Sequence, residues 1–341
     1  MKEITKRGST VSNITQSLYK KYEPYFPIGT CVSPRTLETH KDLLVNHYSS
    51  ITAENHMKFG PIHPKSDAYD FAATDKMIKF ARKYDKVVRG HTLVWHGQNP
   101  GWLFKNQDGS LVDRDTLLKR MEEHINTVVG RYRNDIYCWD VVNEAVQDSG
   151  PDILRKSLWL DIVGSDFIEK AFEFAHAADP KALLFYNDYN ESQPAKRDKI
   201  YQLVKSLKDK DIPIHGVGLQ AHWNIYGPSI DEIREAIEKY ASLDVQMHIT
   251  ELDISVFEFN DRRTDLTEPT AEMMDKQAER YGSIFELFRE YSDVITNVTL
   301  WGAADDVTWL HDFPVRGRKN WPLLFDMNHN AKQALASVMQ F

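Results

Sequence analysis

The sequence predicts an α/β chain and, within that class, a single-domain (β/α)8 barrel. Three observations predict it. Eight short apolar runs alternate with amphipathic helical patterns along the whole chain. The length, 341 residues, suits one barrel of this kind with generous loops. No strand is followed by a GxGxxG or GxxxxGK[ST] phosphate loop, which counts against an open, nucleotide-binding sheet with the same alternation.

The predicted strands cover residues 26–31, 48–53, 86–94, 136–142, 182–186, 215–221, 245–250 and 297–301. They are short, and several are rich in β-branched residues, as strands buried on both faces should be. Between them, Leu118, Met121, Ile125, Val128 and Tyr132 recur every three or four residues. The same period runs through Ile200, Leu203, Val204 and Leu207, and through Ile233, Ala236, Ile237 and Tyr240. Further helices are expected over 166–177 and 274–288, with Gly130 and Pro180 as stop signals. The barrel takes up the chain as one domain, 1–341, with a short helical extension over about 1–25.

Composition narrows the function. The formal charge is −8 and Lys and Arg are scattered, so no basic face for nucleic acid forms. The two cysteines, Cys31 and Cys138, allow neither a disulfide framework nor a CxxC metal knuckle. No segment approaches eighteen apolar residues, so no membrane span is expected. The basic start lacks an apolar stretch of secretory length, and a cytoplasmic address is the expectation. Eight tryptophans and fifteen tyrosines leave room for a cleft in which flat rings meet the apolar faces of sugars.

In such barrels the working residues stand at the C-terminal ends of the strands. Polar and aromatic groups gather at those ends here: Glu54, Asn55 and Lys58 after strand two, and His91, Trp95 and His96 on strand three. Asn143 and Glu144 close strand four, and Asn187 and Tyr189 strand five. Gln220 and His222 follow on strand six, Glu251 and Asp253 on strand seven, and Trp301, Asp305 and Trp309 on strand eight. Two glutamates facing each other across a barrel mouth are what glycoside hydrolysis needs, one to protonate the departing oxygen and one to attack or to activate water. His96 and Trp139 read as packing residues, and Asp140 as a structural acceptor beneath the site. His91, His96, His222 and Asp305 lack metal-motif spacing, so neither a catalytic metal nor a cofactor is expected.

The motifs WDVVNEA (139–145), ITELDI (249–254), GHTLVWH (90–96), ENHMK (54–58) and QAHW (220–223) stand in order, followed by WG, D and W over 301–309. Together they resemble glycoside hydrolase family ten, mainly endo-β-1,4-xylanases on a (β/α)8 barrel, from about residue 26 to the final helix. The resemblance implies Glu144 as acid/base and Glu251 as nucleophile. It implies His222 as the group bonded to the nucleophile, with Asp253 behind it, and Asn143 as partner of the sugar 2-hydroxyl. Glu54, Asn55, Lys58, His91, Trp95, Gln220, Trp301 and Trp309 match positions lining the glycone side, and Asn187 and Tyr189 lie toward the aglycone side. Ala303 and Ala304 stand where the family often carries bulkier residues.

The implied mechanism is retaining, with carboxyls roughly 5–5.5 Å apart. Two unit charges about 5.5 Å apart repel by roughly 3 kcal/mol at an effective dielectric of about 20, which is expected to keep Glu144 protonated while donors such as His222 hold Glu251 ionised. The expected substrate is xylan or a xylo-oligosaccharide, and short imported chains fit a cytoplasmic enzyme. A retaining barrel hydrolase acting on β-glucans and a non-catalytic carbohydrate-binding barrel are the alternatives.

Overall fold

A computed structural model describes residues 16–341. The ring consists of β1 (Ile28–Val32), β2 (Ser50–Ala53), β3 (Val87–Trp95), β4 (Ile136–Asn143), β5 (Leu183–Asp188), β6 (Gly216–Leu219), β8 (Gln246–Ser255) and β9 (Ile295–Leu300). All neighbours are parallel, each pairs with the next, and two closures complete the circle: β1 with β9, and β6 with β8. A ninth, short strand, β7 (His222–Asn224), pairs only with the far end of β8.

Helices alternate with the strands and cover the ring. Their apolar stripes face it: Ile230–Ala241 buries Ile233, Ala236, Ile237 and Tyr240. Local chemistry sets their starts. Asp113 accepts from the Thr116 amide, and Ser229 and Glu232 form a reciprocal capping box. Pro194 opens Pro194–Asp209, where its missing N–H costs nothing. Of the predicted N-terminal extension, residues 1–15 lie outside the described residues. The remainder contains the helix Leu18–Tyr22, whose Tyr22 hydroxyl donates to the Val338 carbonyl (2.6 Å) beside the last helix, Gln333–Met339.

Two of the predicted strands are drawn differently in space. The run 215–221 is not continuous: β6 stops at Leu219, Ala221 takes a left-handed φ of 60°, and the chain resumes as β7. Strand 245–250 continues to Ser255, because Asp253–Ser255 find new partners in β7. Glu251 and Asp253 therefore lie within a strand and inherit its rigidity.

Candidate active site

Beneath the cleft the barrel is plugged by buried polar groups. Arg89 on β3 donates through Nη2 to Asp140 Oδ1 on β4 (2.7 Å) and through Nε to His248 Nδ1 on β8 (3.1 Å). His248 stacks on Phe185 with centroids 4.0 Å apart. His91 places Nδ1 2.9 Å from Asp140 Oδ2. Asp140 is thus the acceptor expected under the site. His91 is 2 % exposed and belongs to the floor, its edge against the Trp301 ring.

Glu144 follows directly on β4 with a left-handed φ of 57°. A non-glycine residue in this region costs energy and must be held. The Glu144 N–H donates to the Asn187 carbonyl (2.8 Å), and Arg155 Nε donates to the Glu144 carbonyl (3.0 Å). The carboxylate this presents accepts from Trp95 Nε1 at Oε2 (2.8 Å) and from Gln220 Nε2 at Oε1 (3.0 Å). His96 Nε2 stands 4.0 Å from Oε2. His96 is exposed, which corrects the expectation that it packs inside, because its strand has ended and it projects from the loop; Trp139 is fully buried as expected.

Glu251 is buried and approached from two sides. Asn187 Nδ2 donates to Oε1 (2.9 Å), and His222 Nε2 lies 3.3 Å from Oε2. Burial alone would raise its pKa. The His222 hydrogen bond and the charges of His91, His222 and Lys58 outweigh burial and hold it down at about 2. Burial likewise opposes charge on His222. Asp253, by attraction and by a bond to Nδ1 (3.0 Å), overcomes it together with Glu251 and lifts the imidazole to about 10. His222 is therefore an imidazolium at neutral pH and donates to both carboxylates. Trp309 Nε1 also donates to Asp253 Oδ2 (2.7 Å).

The two glutamates are joined by amides. Gln220 Nε2 reaches both Glu144 and Asn143 Oδ1 (3.3 Å), and Asn187 Nδ2 reaches both Asn143 Oδ1 (2.8 Å) and Glu251. Asn187 was expected on the cleft wall. It is fully buried instead, with both amide hydrogens committed and Oδ1 taking the Thr250 hydroxyl (2.6 Å), so its part is to position Glu251.

Around this centre, Lys58 Nζ sits between Asn55 Oδ1 (2.9 Å) and the face of Trp95 (4.9 Å from the centroid). Burial lowers the pKa of Lys58, opposed by Glu251, Glu54 and Glu144. Glu54, Trp301 and Trp309 line one hollow, and Trp95, Asn143 and Glu144 line another. Tyr189 is half-buried, its hydroxyl donating to Asp148 Oδ2 and accepting from Arg155 Nη2, both at 2.6 Å. Asp305 is not on the rim: it is buried and paired with Lys332 (2.9 Å), fixing the loop after β9. Sequence reasoning missed Arg155 and Arg89. Arg155 sits in an aperiodic loop and Arg89 inside a strand of apolar neighbours, so neither position carries a signal in one sequence.

A (β/α)8 barrel holding two carboxylates at its C-terminal mouth, bridged by amides and edged by tryptophans, defines a glycoside hydrolase. The profile of Glycosyl hydrolase family 10 matches residues 17–341. An endo-1,4-beta-xylanase of Geobacillus stearothermophilus is 58% identical over 325 residues, 95% of this chain and 98% of that protein. Endo-1,4-beta-xylanase B of Paenibacillus barcinonensis is 56% identical over 323 residues, 95% of this chain and 97% of its own length. The crystal structure of a xylanase from the latter organism, complexed with a conduramine derivative, aligns with a TM-score of 0.95 at 54% identity, covering 96% of this chain and 99% of that one. This chain belongs to glycosyl hydrolase family 10.

Proposed function

We infer that the chain is a retaining endo-1,4-β-xylanase in which Glu251 attacks the anomeric carbon and Glu144 manages the proton. The observation that carries the reading is the contrast between the two carboxylates. Glu251 is held ionised by His222 and Asn187, as a nucleophile must be, and Glu144 stands at the left-handed position directly after β4, bridged to it by amides. Attack of Glu251 forms a glycosyl ester and releases the leaving oxygen, which takes the Glu144 proton. Esterification consumes the Glu251 charge. Glu144, left as a carboxylate by that proton transfer, then takes a proton from the incoming water, whose oxygen attacks the anomeric carbon and frees Glu251. Among the described residues the Asn143 amide nitrogen has no partner, which suits donation to a sugar 2-hydroxyl.

The substrate follows from the family and its xylanase relatives: xylan and xylo-oligosaccharides. Our finer reading, that short chains met inside the cell are preferred, rests on the expected cytoplasmic address. Rates on xylotriose and on polymeric xylan, with fractionation of producing cells, test it. NMR of the first product tests the chemistry. A β-anomer from a xylo-oligosaccharide supports the double displacement, and an α-anomer refutes it. A higher rate on cello-oligosaccharides than on xylo-oligosaccharides would favour the β-glucan alternative.

A further inference from the structure

Away from both carboxylates, three segments distant in sequence meet where β1 and β9 close the ring. His40 lies on the turn between the helices Thr36–Thr39 and Lys41–His47, Asp306 in the loop after β9, and His329 in a tight turn near the C-terminus. His40 Nε2 is 2.8 Å from Asp306 Oδ1, and His329 Nε2 is 3.3 Å from the same oxygen. The two imidazole centroids are 4.3 Å apart. We propose that His40, Asp306 and His329 form a binding site for a divalent transition-metal ion, zinc by its ligand chemistry, that clasps the first and last loops of the barrel.

Two imidazole nitrogens and one carboxylate oxygen are a zinc donor set, and all three atoms lie within 4.8 Å of one another. Tetrahedral bonds of about 2.0–2.2 Å put ligands roughly 3.3–3.5 Å apart; the His329–Asp306 spacing of 3.3 Å already fits, and the His40–Asp306 spacing of 2.8 Å has to open by roughly half an ångström. A ligating histidine is normally held through its other nitrogen. Thr39 Oγ1 supplies that hold at 2.7 Å from His40 Nδ1. The Thr39 hydroxyl itself donates to the Arg35 carbonyl (3.3 Å), which leaves it an acceptor for a proton on Nδ1 and Nε2 bare toward the ion. His40 is buried, whereas the Asp306 and His329 side chains are 29% and 32% exposed, so an ion has a way in from solvent. His40 also lines the hollow of Glu54, Trp301 and Trp309, so the clasp braces that wall without touching the catalytic pair. The competing arrangement is two N–H donors sharing one carboxylate, with no ion.

Zinc chloride titrated into the chelator-stripped full chain, followed by calorimetry and by thermal unfolding, separates the two. One zinc should bind per chain and raise the unfolding temperature, since an ion that binds only the folded state stabilises it. His329→Asn and Asp306→Asn should weaken binding at least about tenfold and remove the rise. Asparagine tolerates the left-handed φ of 66° at position 329, so the zinc-free variant should unfold near the parent temperature. The absence of saturable binding, or stoichiometric binding that both variants keep, overturns the proposal.

Discussion

Glu144 and Glu251 carry the same side chain in opposite surroundings, and their loss should be felt differently. Glu251→Ala should abolish turnover of xylan. Glu144→Ala should retain activity mainly on aryl xylosides with good leaving groups, and azide should restore turnover as a β-glycosyl azide; an α-azide product would refute the assignment. Arg155 acts one step back, holding the strained Glu144 backbone and the Tyr189 hydroxyl. Strain of this kind is worth on the order of 1–3 kcal/mol. Arg155→Met should therefore lower kcat/KM by roughly tenfold or more, most on poor leaving groups, and an equal loss on every leaving group would argue for a merely structural arginine. The charged triad also sets a pH signature. The Glu251 pKa is depressed from 4.5 to about 2, so its contribution to stability is present above about 4.5 and lost as pH falls through 2. The His222 pKa is raised from 6.5 to about 10, so its contribution is full below 6.5 and lost as pH rises through 10. The unfolding temperature should fall between pH 6.5 and 10, and Asp253→Asn should flatten that fall; an unchanged slope would place its cause elsewhere.

At the scale of elements, the site depends on strands that approach closely and on one that breaks. A Cβ on Gly90 in β3 would lie 2.1 Å from the Trp139 ring on β4, and one on Gly216 in β6 would lie 2.1 Å from Phe185 on β5. Both rings are buried side chains with nowhere to move. Gly90→Ala should cost about 1–3 kcal/mol by overpacking, read as a lower unfolding temperature, and it should also disturb His91 next door. An unchanged melt with unchanged activity would show that the β3–β4 wall can give. The break between β6 and β7 turns Gln220 toward Glu144 and His222 toward Glu251 within three residues. An unbroken strand would send alternate side chains to opposite faces, and the left-handed Ala221 changes that alternation.

At the scale of the whole molecule, the barrel interior and the active site form one connected polar body. The Arg89–Asp140 pair is fully buried, ties β3 to β4, reaches β8 through His248, and carries His91 at its upper edge. Burial disfavours the charge on Arg89, and Asp140 more than restores it. Arg89→Met would leave the Asp140 charge uncompensated, a change that typically costs about 3–5 kcal/mol. Chemical denaturation should show a loss of that order, with activity falling alongside as Asp140, the partner of His91, loses the arginine that fixes it. A loss well under 1 kcal/mol would mean that Asp140 is satisfied without the arginine.

The sequence by itself determined the class of fold, because burial on both strand faces writes short apolar runs and helix amphipathicity writes a period of three to four. It also placed the two glutamates, since position at a strand end is a property of the chain order. It did not give the break after Leu219, the extension of β8 to Ser255, the burial of Asn187, or Arg155 under Glu144. Those depend on which strand lies beside which when the ring closes, and on a backbone dihedral that only the surrounding hydrogen bonds can hold. Nor could chain order show that His40 meets Asp306, 266 residues further along the chain, and His329 beyond it. Proximity across the barrel seam is decided by the pairing of the first strand with the last, after which hydrogen bonding and charge act on whatever the fold has brought within reach.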